Sequence, residues 1–487
     1  MKEITKTSRP LEPHIRDLPP SARRRCLLIP FIVLVLIVLG AFPADRPILT
    51  RLFPLPNLSS HHHNPSAAEL ETCAWATLEK HTSLLDVRPI NRAEFLQRQR
   101  VLAQALDDAG VDAFIAEPSA SSAYYANISA AFHLSERPFL MILDRNASFS
   151  YLVPRFETGR INVASQHMVF DNNDSKSNGD NDSDSSVDAG VGIAWREEED
   201  PYAALTSHRP NLSRVMVDEH TRHMVASGLQ AASIEVLAMS PEVRRLRAIK
   251  TEAEIAILRG INSYTRQLTR ALQGCVRLGV SQEDIVAAGQ GLFSRAGVGN
   301  GYWALALFGA AAANPHGGSA GRKLRDGEFV LLDIGSVLHG YSSDVTRTFL
   351  PRGGTVSDEL MDLWDTVRRS QTAGFEKMFP NETCSAADAA SRVPVEEKGF
   401  AEFYTHRLGH GLGLEGHEHP YLNGANHEKL SAGVVVTNEP GIYVTDEQAK
   451  QLGKSTGFGI RLEDPILVTE KGGVPLTGRR AESPWDL

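Results

Sequence analysis

The feature that most constrains this 487-residue chain is a set of acidic side chains embedded in otherwise apolar, strand-like runs. Asp333 interrupts FVLLDIG, and Asp344 opens DVTRTF after a turn rich in Gly and Ser. Glu439 lies in VVVTNEPGIY, Glu463 in GIRLEDPILV, and His410 in HRLGHGLGLEGHEHP. A carboxylate in an apolar strand is costly unless it is paired or bound to a cation. One such residue reads equally well as a strand end facing solvent, but four in one region argue for a shared cation site. If 329–335 and 344–349 form a hairpin, the two aspartates lie close together. Carboxylate oxygens with a single imidazole suit a hard or borderline divalent ion. Four acids exceed what one catalytic zinc usually takes, and a two-metal site about 3.5–4 Å across uses them better.

Composition narrows the class further. A formal net charge of −9 leaves no basic surplus to neutralise phosphates, so no nucleic-acid partner is expected. Cysteines stand only at 26, 73, 275 and 384, none in CxxC, which excludes a zinc ribbon or a disulfide-dense scaffold. Free buried thiols are expected, with one bridge as the alternative.

Along the chain, residues 1–26 form a basic segment ending in Arg23-Arg24-Arg25, followed by an uncharged apolar run at 27–42. The run reads as a transmembrane signal-anchor, or as a signal peptide, with the basic segment cytoplasmic. It places the catalytic domain of a single-pass membrane protein in the lumen or outside the cell, with a secreted protein as the alternative. Sequons at Asn57, Asn127, Asn146, Asn173, Asn181, Asn211 and Asn381 suggest a glycoprotein. Residues 43–66, rich in Pro, Asn, Ser and His, read as a linker. A small α/β domain is expected over 67–243, interrupted at 171–190 by an acidic Ser/Asn/Asp tract too polar to order. At 244 the pattern changes. Thr251 and Glu254 form a capping box ahead of an amphipathic helix, and short apolar strands at 329–335, 344–349, 434–440 and 459–468 follow. That is an α+β domain over 244–480 with a mostly antiparallel sheet.

The segments AAANPHGG, LLDIG…YSSDVTRTF, THRLGHGLGLEGHE, TNEPGIYV and GIRLEDPILV resemble, in order and spacing, the set found in proline-specific metallopeptidases. These are the Xaa-Pro aminopeptidases and prolidases of the creatinase/methionine-aminopeptidase superfamily, peptidase family M24. The resemblance is close over about 245–475 and holds only in outline over 90–240. It implies a pita-bread catalytic domain preceded by a smaller α/β domain, and two divalent ions, manganese with cobalt or zinc as alternatives. By motif, Asp333 would bind one metal, His410 and Glu439 the other, and Asp344 and Glu463 would bridge. Glu439 would also take up a proton, His417 would stabilise the oxyanion, and His316 would contact substrate or relay a proton. His406 and Arg461 would bind substrate.

The implied activity is hydrolysis of Xaa-Pro bonds in dipeptides or at peptide N-termini, on a substrate with proline second. The alternatives are a non-proline-directed aminopeptidase on the same fold and a non-catalytic binding module. A homodimer is compatible with the resemblance. Gly317–Gly321 also fits G-x-S-x-G, but its flanks lack the strand and helix of a nucleophile elbow.

Overall fold

The computed structural model describes residues 65–128, 135–159, 192–318 and 320–485. The apolar run 27–42 and the acidic tract 171–190 lie outside the described residues.

The N-terminal half builds one mixed sheet from β1 (Ala113–Ala116), β2 (Leu140–Asp144), β3 (Phe149–Pro154), β4 (Gly192–Trp195), β5 (Arg214–Val217) and β6 (Glu235–Ala238). The strand order is β4-β3-β2-β1-β5-β6. Side chains alternate between faces along each strand. Phe114, Met141 and Leu143 therefore enter one apolar cluster, and Ile115, Ile142 and Val215 another.

Helix α1 (Ala67–Leu78) starts at a capping box formed by Ser66 and Glu69. It sends Leu70, Ala74 and Leu78 into the core of the second half. There it meets α2 (Glu252–Cys275), which begins at the expected Thr251/Glu254 box. A disulfide joins Cys73 to Cys275 across 202 residues. The expectation of free thiols therefore holds for Cys384, which is buried, and fails for this pair.

The second half is antiparallel throughout its named strands. β7 (Trp303–Phe308), β8 (Val330–Gly335) and β11 (Val345–Phe349) form one sheet, with the two-residue strands β9 (Val337–Leu338) and β10 (Tyr341–Ser342) between β8 and β11. β12 (Gly409–Gly411), β13 (Glu418–Leu422), β14 (Val435–Asn438), β17 (Asp464–Thr469) and β18 (Gly472–Pro475) form the second, in the order β13-β12-β14-β17-β18. β15 (Gly441–Val444) pairs with β16 (Phe458–Arg461). The run expected as one strand over 459–468 is thus two strands in different sheets, and Glu463 sits at the break.

The membrane placement expected from residues 27–42 is corrected here. Among the described residues no helix is long and apolar enough to cross a membrane. The longest of them, α2, has 24 residues and carries Glu252, Glu254, Arg259, Arg266 and Arg270 along its length.

Behind the second sheet, Arg347 and Asp464 form a fully buried ion pair, Nη2 donating to Oδ1 at 2.6 Å. Arg347 Nη1 donates to the Glu463 carbonyl, while Gln371 of α3 (Asp358–Phe375) donates to Asp464 Oδ2 at 3.0 Å and to the Asn438 carbonyl at 3.2 Å. This network ties the backbones on either side of Glu439 and Glu463 to one helix. Replacing Arg347 by methionine leaves Asp464 as an uncompensated buried charge. Urea unfolding of Arg347→Met should show a loss of about 3–5 kcal/mol. A loss below about 1 kcal/mol, the range of exposed pairs, would contradict this role.

Candidate metal centre

The strands deliver the acidic residues to one cavity of about 730 Å³, lined by Asp333, Asp344, His410, Glu439, Glu463, His316, His406, His417 and Arg461 among others. All nine residues singled out in the sequence are therefore brought together.

Asp333 stands in β8, where β11 pairs it with Thr346. Asp344 precedes β11, and its amide donates to Asn262 Oδ1 of α2 at 3.0 Å. His410 stands in β12 directly after Gly409. A Cβ on Gly409 would lie 2.0 Å from the Thr437 carbonyl oxygen, so only glycine lets β12 lie this close to β14. That closeness brings His410 Nε2 to 3.2 Å from Glu439 Oε1. Glu439 follows β14 and donates its amide to the Leu408 carbonyl at 2.8 Å. Glu463 takes a hydrogen bond from Thr346 Oγ1 at 2.7 Å.

Potential ligand atoms of Asp333, Asp344 and Glu463 lie within 4.8 Å of one another, as do those of His410, Glu439 and Glu463. Glu463 is common to both groups. A third grouping joins Asp344, His410 and His417, so His417 lies nearer the acids than a purely substrate-binding role requires.

The electrostatics are unfavourable without a further cation. Asp344 and Glu463 are nearly inaccessible, and burial, followed by repulsion from the neighbouring carboxylates, pushes both carboxyls well above their ordinary range. Asp333 is also raised, chiefly by burial, although Arg461 Nη2 donates to its Oδ2 at 2.5 Å. Glu439 is the exception. Burial opposes its ionisation, but the hydrogen bond and charge of His410 hold it down to about 2. Asp333 Oδ1 and Glu463 Oε1 are buried with no hydrogen-bond donor. Among the described residues only three buried carboxylate oxygens lack a donor, the third being Asp218 Oδ2 in the N-terminal half, and each loses its hydration uncompensated. The His410 ring points the same way. Its Nδ1 lies 3.1 Å from the Gly411 carbonyl, which can only accept, so Nδ1 carries a proton. Nε2, facing the carboxylates, donates to Glu439 when the ring is charged and would offer a lone pair to a cation when it is neutral. Hard oxygens with one imidazole lone pair fit divalent cations.

Around this core, Arg461 Nη1 donates to Tyr443 Oη at 2.8 Å, and Tyr443 lies 2.9 Å from His406 Nε2. His406 Nδ1 donates to the Arg407 carbonyl at 2.7 Å, so Tyr443 donates to His406 Nε2. Burial holds His406 below its ordinary pKa, consistent with a neutral ring. Burial and the neighbouring His410 push His417 down to about 4. Arg407 Nη2 donates to His417 Nδ1 at 3.2 Å, which leaves the proton of the neutral ring on Nε2. His316 is exposed on a turn at the rim.

Sequence reasoning missed Tyr443, which the EPGIYV motif contains and whose aromatic hydroxyl gave no spacing signal. It also missed Thr346 and Arg407, although the first lies two residues after Asp344 and the second three before His410. Arg461, expected to bind substrate, ends β16 before the break and pairs with Asp333.

The comparisons with known proteins agree with this geometry. The model for Metallopeptidase family M24 matches residues 256–470. An uncharacterized peptidase of Schizosaccharomyces pombe is 38% identical over 412 residues, covering 82% of this chain and 84% of that one. An uncharacterized peptidase of Staphylococcus epidermidis is 36% identical over 231 residues, 47% of this chain and 62% of its own length. Among solved structures, a Xaa-Pro dipeptidase from Bacillus anthracis superposes with a TM-score of 0.64 at 26% identity, over 81% of this chain and 99% of that one. The dipeptidase PepE from Mycobacterium ulcerans shares the fold, with a TM-score of 0.70 at 24% identity over 81% of this chain and 98% of that one. On the strength of the buried acid-rich cavity, the matched catalytic region and a relative aligned over most of both chains, this protein belongs to metallopeptidase family M24.

Proposed function

We propose that the chain is a dinuclear metal-dependent exopeptidase that hydrolyses Xaa-Pro bonds, in dipeptides or at the N-termini of peptides. The observation that carries this reading is the pair of orphaned oxygens, Asp333 Oδ1 and Glu463 Oε1, buried among four carboxylates that need cations to remain charged together. The dipeptidase and Xaa-Pro dipeptidase names of the structural neighbours support it. In this reading Asp333 would hold one ion and His410 and Glu439 the other, with Asp344 and Glu463 available to both. Manganese fits an oxygen-rich set with one imidazole, as cobalt or zinc also would.

Two such ions supply a water of lowered pKa and polarise the scissile carbonyl. The remaining roles fall to the side chains. Glu439, ionised and at the cavity wall, accepts the proton released by the attacking water. His417 Nε2–H donates to the carbonyl oxygen as negative charge develops on it, and its low proton affinity keeps it a neutral donor. His316, at the rim, hands a proton to the departing proline nitrogen. His406, fixed by Tyr443 and the Arg407 carbonyl, forms the wall beside the proline ring. Arg461 holds Asp333 in place and offsets part of the burial that raises its carboxyl.

A pair of substitutions separates ligand from catalytic donor. Asp344→Ala removes one ligand from each ion, so metal content should fall below two per chain and Ala-Pro hydrolysis should nearly vanish. His417→Ala should keep both ions and lose about 10²–10³-fold in turnover, the cost of one oxyanion donor. Asp344→Ala protein with two ions and near-normal turnover overturns the assignment. Equal wild-type rates on Ala-Pro and Ala-Ala would keep the metal site but remove the proline direction.

Metal uptake should also depend on pH in a defined sense. Asp344 and Glu463 hold protons well above the usual carboxylate range in the metal-free protein. Binding must displace those protons, so affinity should rise with pH through the raised pKa values and be lost below them. Calorimetry in two buffers of different ionisation enthalpy should report proton release. Uptake with no proton release would contradict the reading.

A further inference from the structure

Away from the carboxylate cavity, a pocket of about 500 Å³ opens where the end of α2 meets the 3₁₀ turn Glu79–Leu85 and the turn that follows β11. Its charged lining is wholly basic. Lys80 and His81 come from the first wall, Arg270 from α2, and Arg352 from the third. No Asp or Glu lines it, and none of these four side chains has a carboxylate partner among the described residues. They repel one another. His81 is held below its ordinary pKa by burial and then by the charges of Lys80, Arg270 and Arg266.

The pocket is also held in shape. The Cys73–Cys275 disulfide ties the helices that carry two of its walls. Gln273 Nε2 of α2 and the Leu350 amide both donate to the Pro484 carbonyl, at 3.0 and 3.1 Å. Those bonds set Trp485 on the rim, where it is 63% exposed, the most exposed large apolar side chain among the described residues. Cations gathered in a concave site raise the local concentration of anions. Guanidinium groups match phosphate and sulfate oxygens bidentately, and an exposed indole offers a flat face to a ring.

We propose that this pocket binds a small polyanion bearing two or more phosphate or sulfate groups, with a ring of the ligand lying on Trp485. Three permanent cations and a histidine exceed what a single carboxylate requires, which selects a multiply charged ligand. The site stands apart from the peptidase cavity. β11 separates it from Asp344 by five residues, about 17 Å of extended strand. The proposal therefore does not depend on the peptidase reading.

Titration calorimetry of the full chain at low salt tests it with two probes, inorganic pyrophosphate and a disulfated disaccharide, which distinguish a phosphate from a sulfated-sugar source. Saturable binding of at least one probe, at one per chain, is expected. Arg352→Ala removes one charge-assisted contact and should weaken that binding about 10-fold or more while leaving peptidase turnover unchanged. The sugar probe should shift tryptophan fluorescence in the wild type and not in Trp485→Phe. The proposal is overturned if neither probe binds, if Arg270→Ala and Arg352→Ala both leave affinity unchanged, or if monovalent acetate binds as tightly as pyrophosphate.

Discussion

Asp333, Asp344, Glu439 and Glu463 converge on one cavity in which Arg461 is the only fully buried guanidinium. Like charges this close and this dry do not ionise together without a counter-charge, and the raised carboxyls of Asp344 and Glu463 express that. The proposed cations supply the missing charge and the missing partners of Asp333 Oδ1 and Glu463 Oε1 at once. The surrounding framework holds the carboxylates in a geometry they would otherwise leave.

That framework is polar and buried. Arg347, Asp464, Gln371 and Asn438 are all essentially inaccessible, and their hydrogen bonds lock the residues flanking Glu439 and Glu463 to α3. Asn262 of α2 fixes the start of β11, and Thr346 links Glu463 to Arg461. A site assembled from four strand segments keeps sub-ångström order only if each segment is anchored from behind. Buried networks of this kind are costly when broken.

Much of the candidate site was legible because its chemistry violates the pattern around it. A carboxylate in VLLDIG or VVVTNEP has no reason to be there as packing, and the five expected ligand positions do share one cavity. The capping box at Thr251 was equally plain, since it is a local hydrogen-bond arrangement written in two residues. What was not legible depends on tertiary contact. Cys73 and Cys275 pair across 202 residues, and no spacing rule reaches that far. The break at Glu463 hides within an unbroken apolar run. Asp464, the residue after Glu463, pairs with Arg347 and does not line the cavity. The apolar run at 27–42 led to a membrane placement that no described helix supports.

The central claim is that the carboxylates hold two ions and not one. Anomalous diffraction from crystals grown with manganese tests it most directly. The account predicts two peaks about 3.5–4 Å apart, flanked by Asp344 and Glu463, with His410 and Glu439 beside one and Asp333 beside the other. A single peak at full manganese occupancy, or peaks only at the separate Glu219, His220 and Glu415 group, would contradict it.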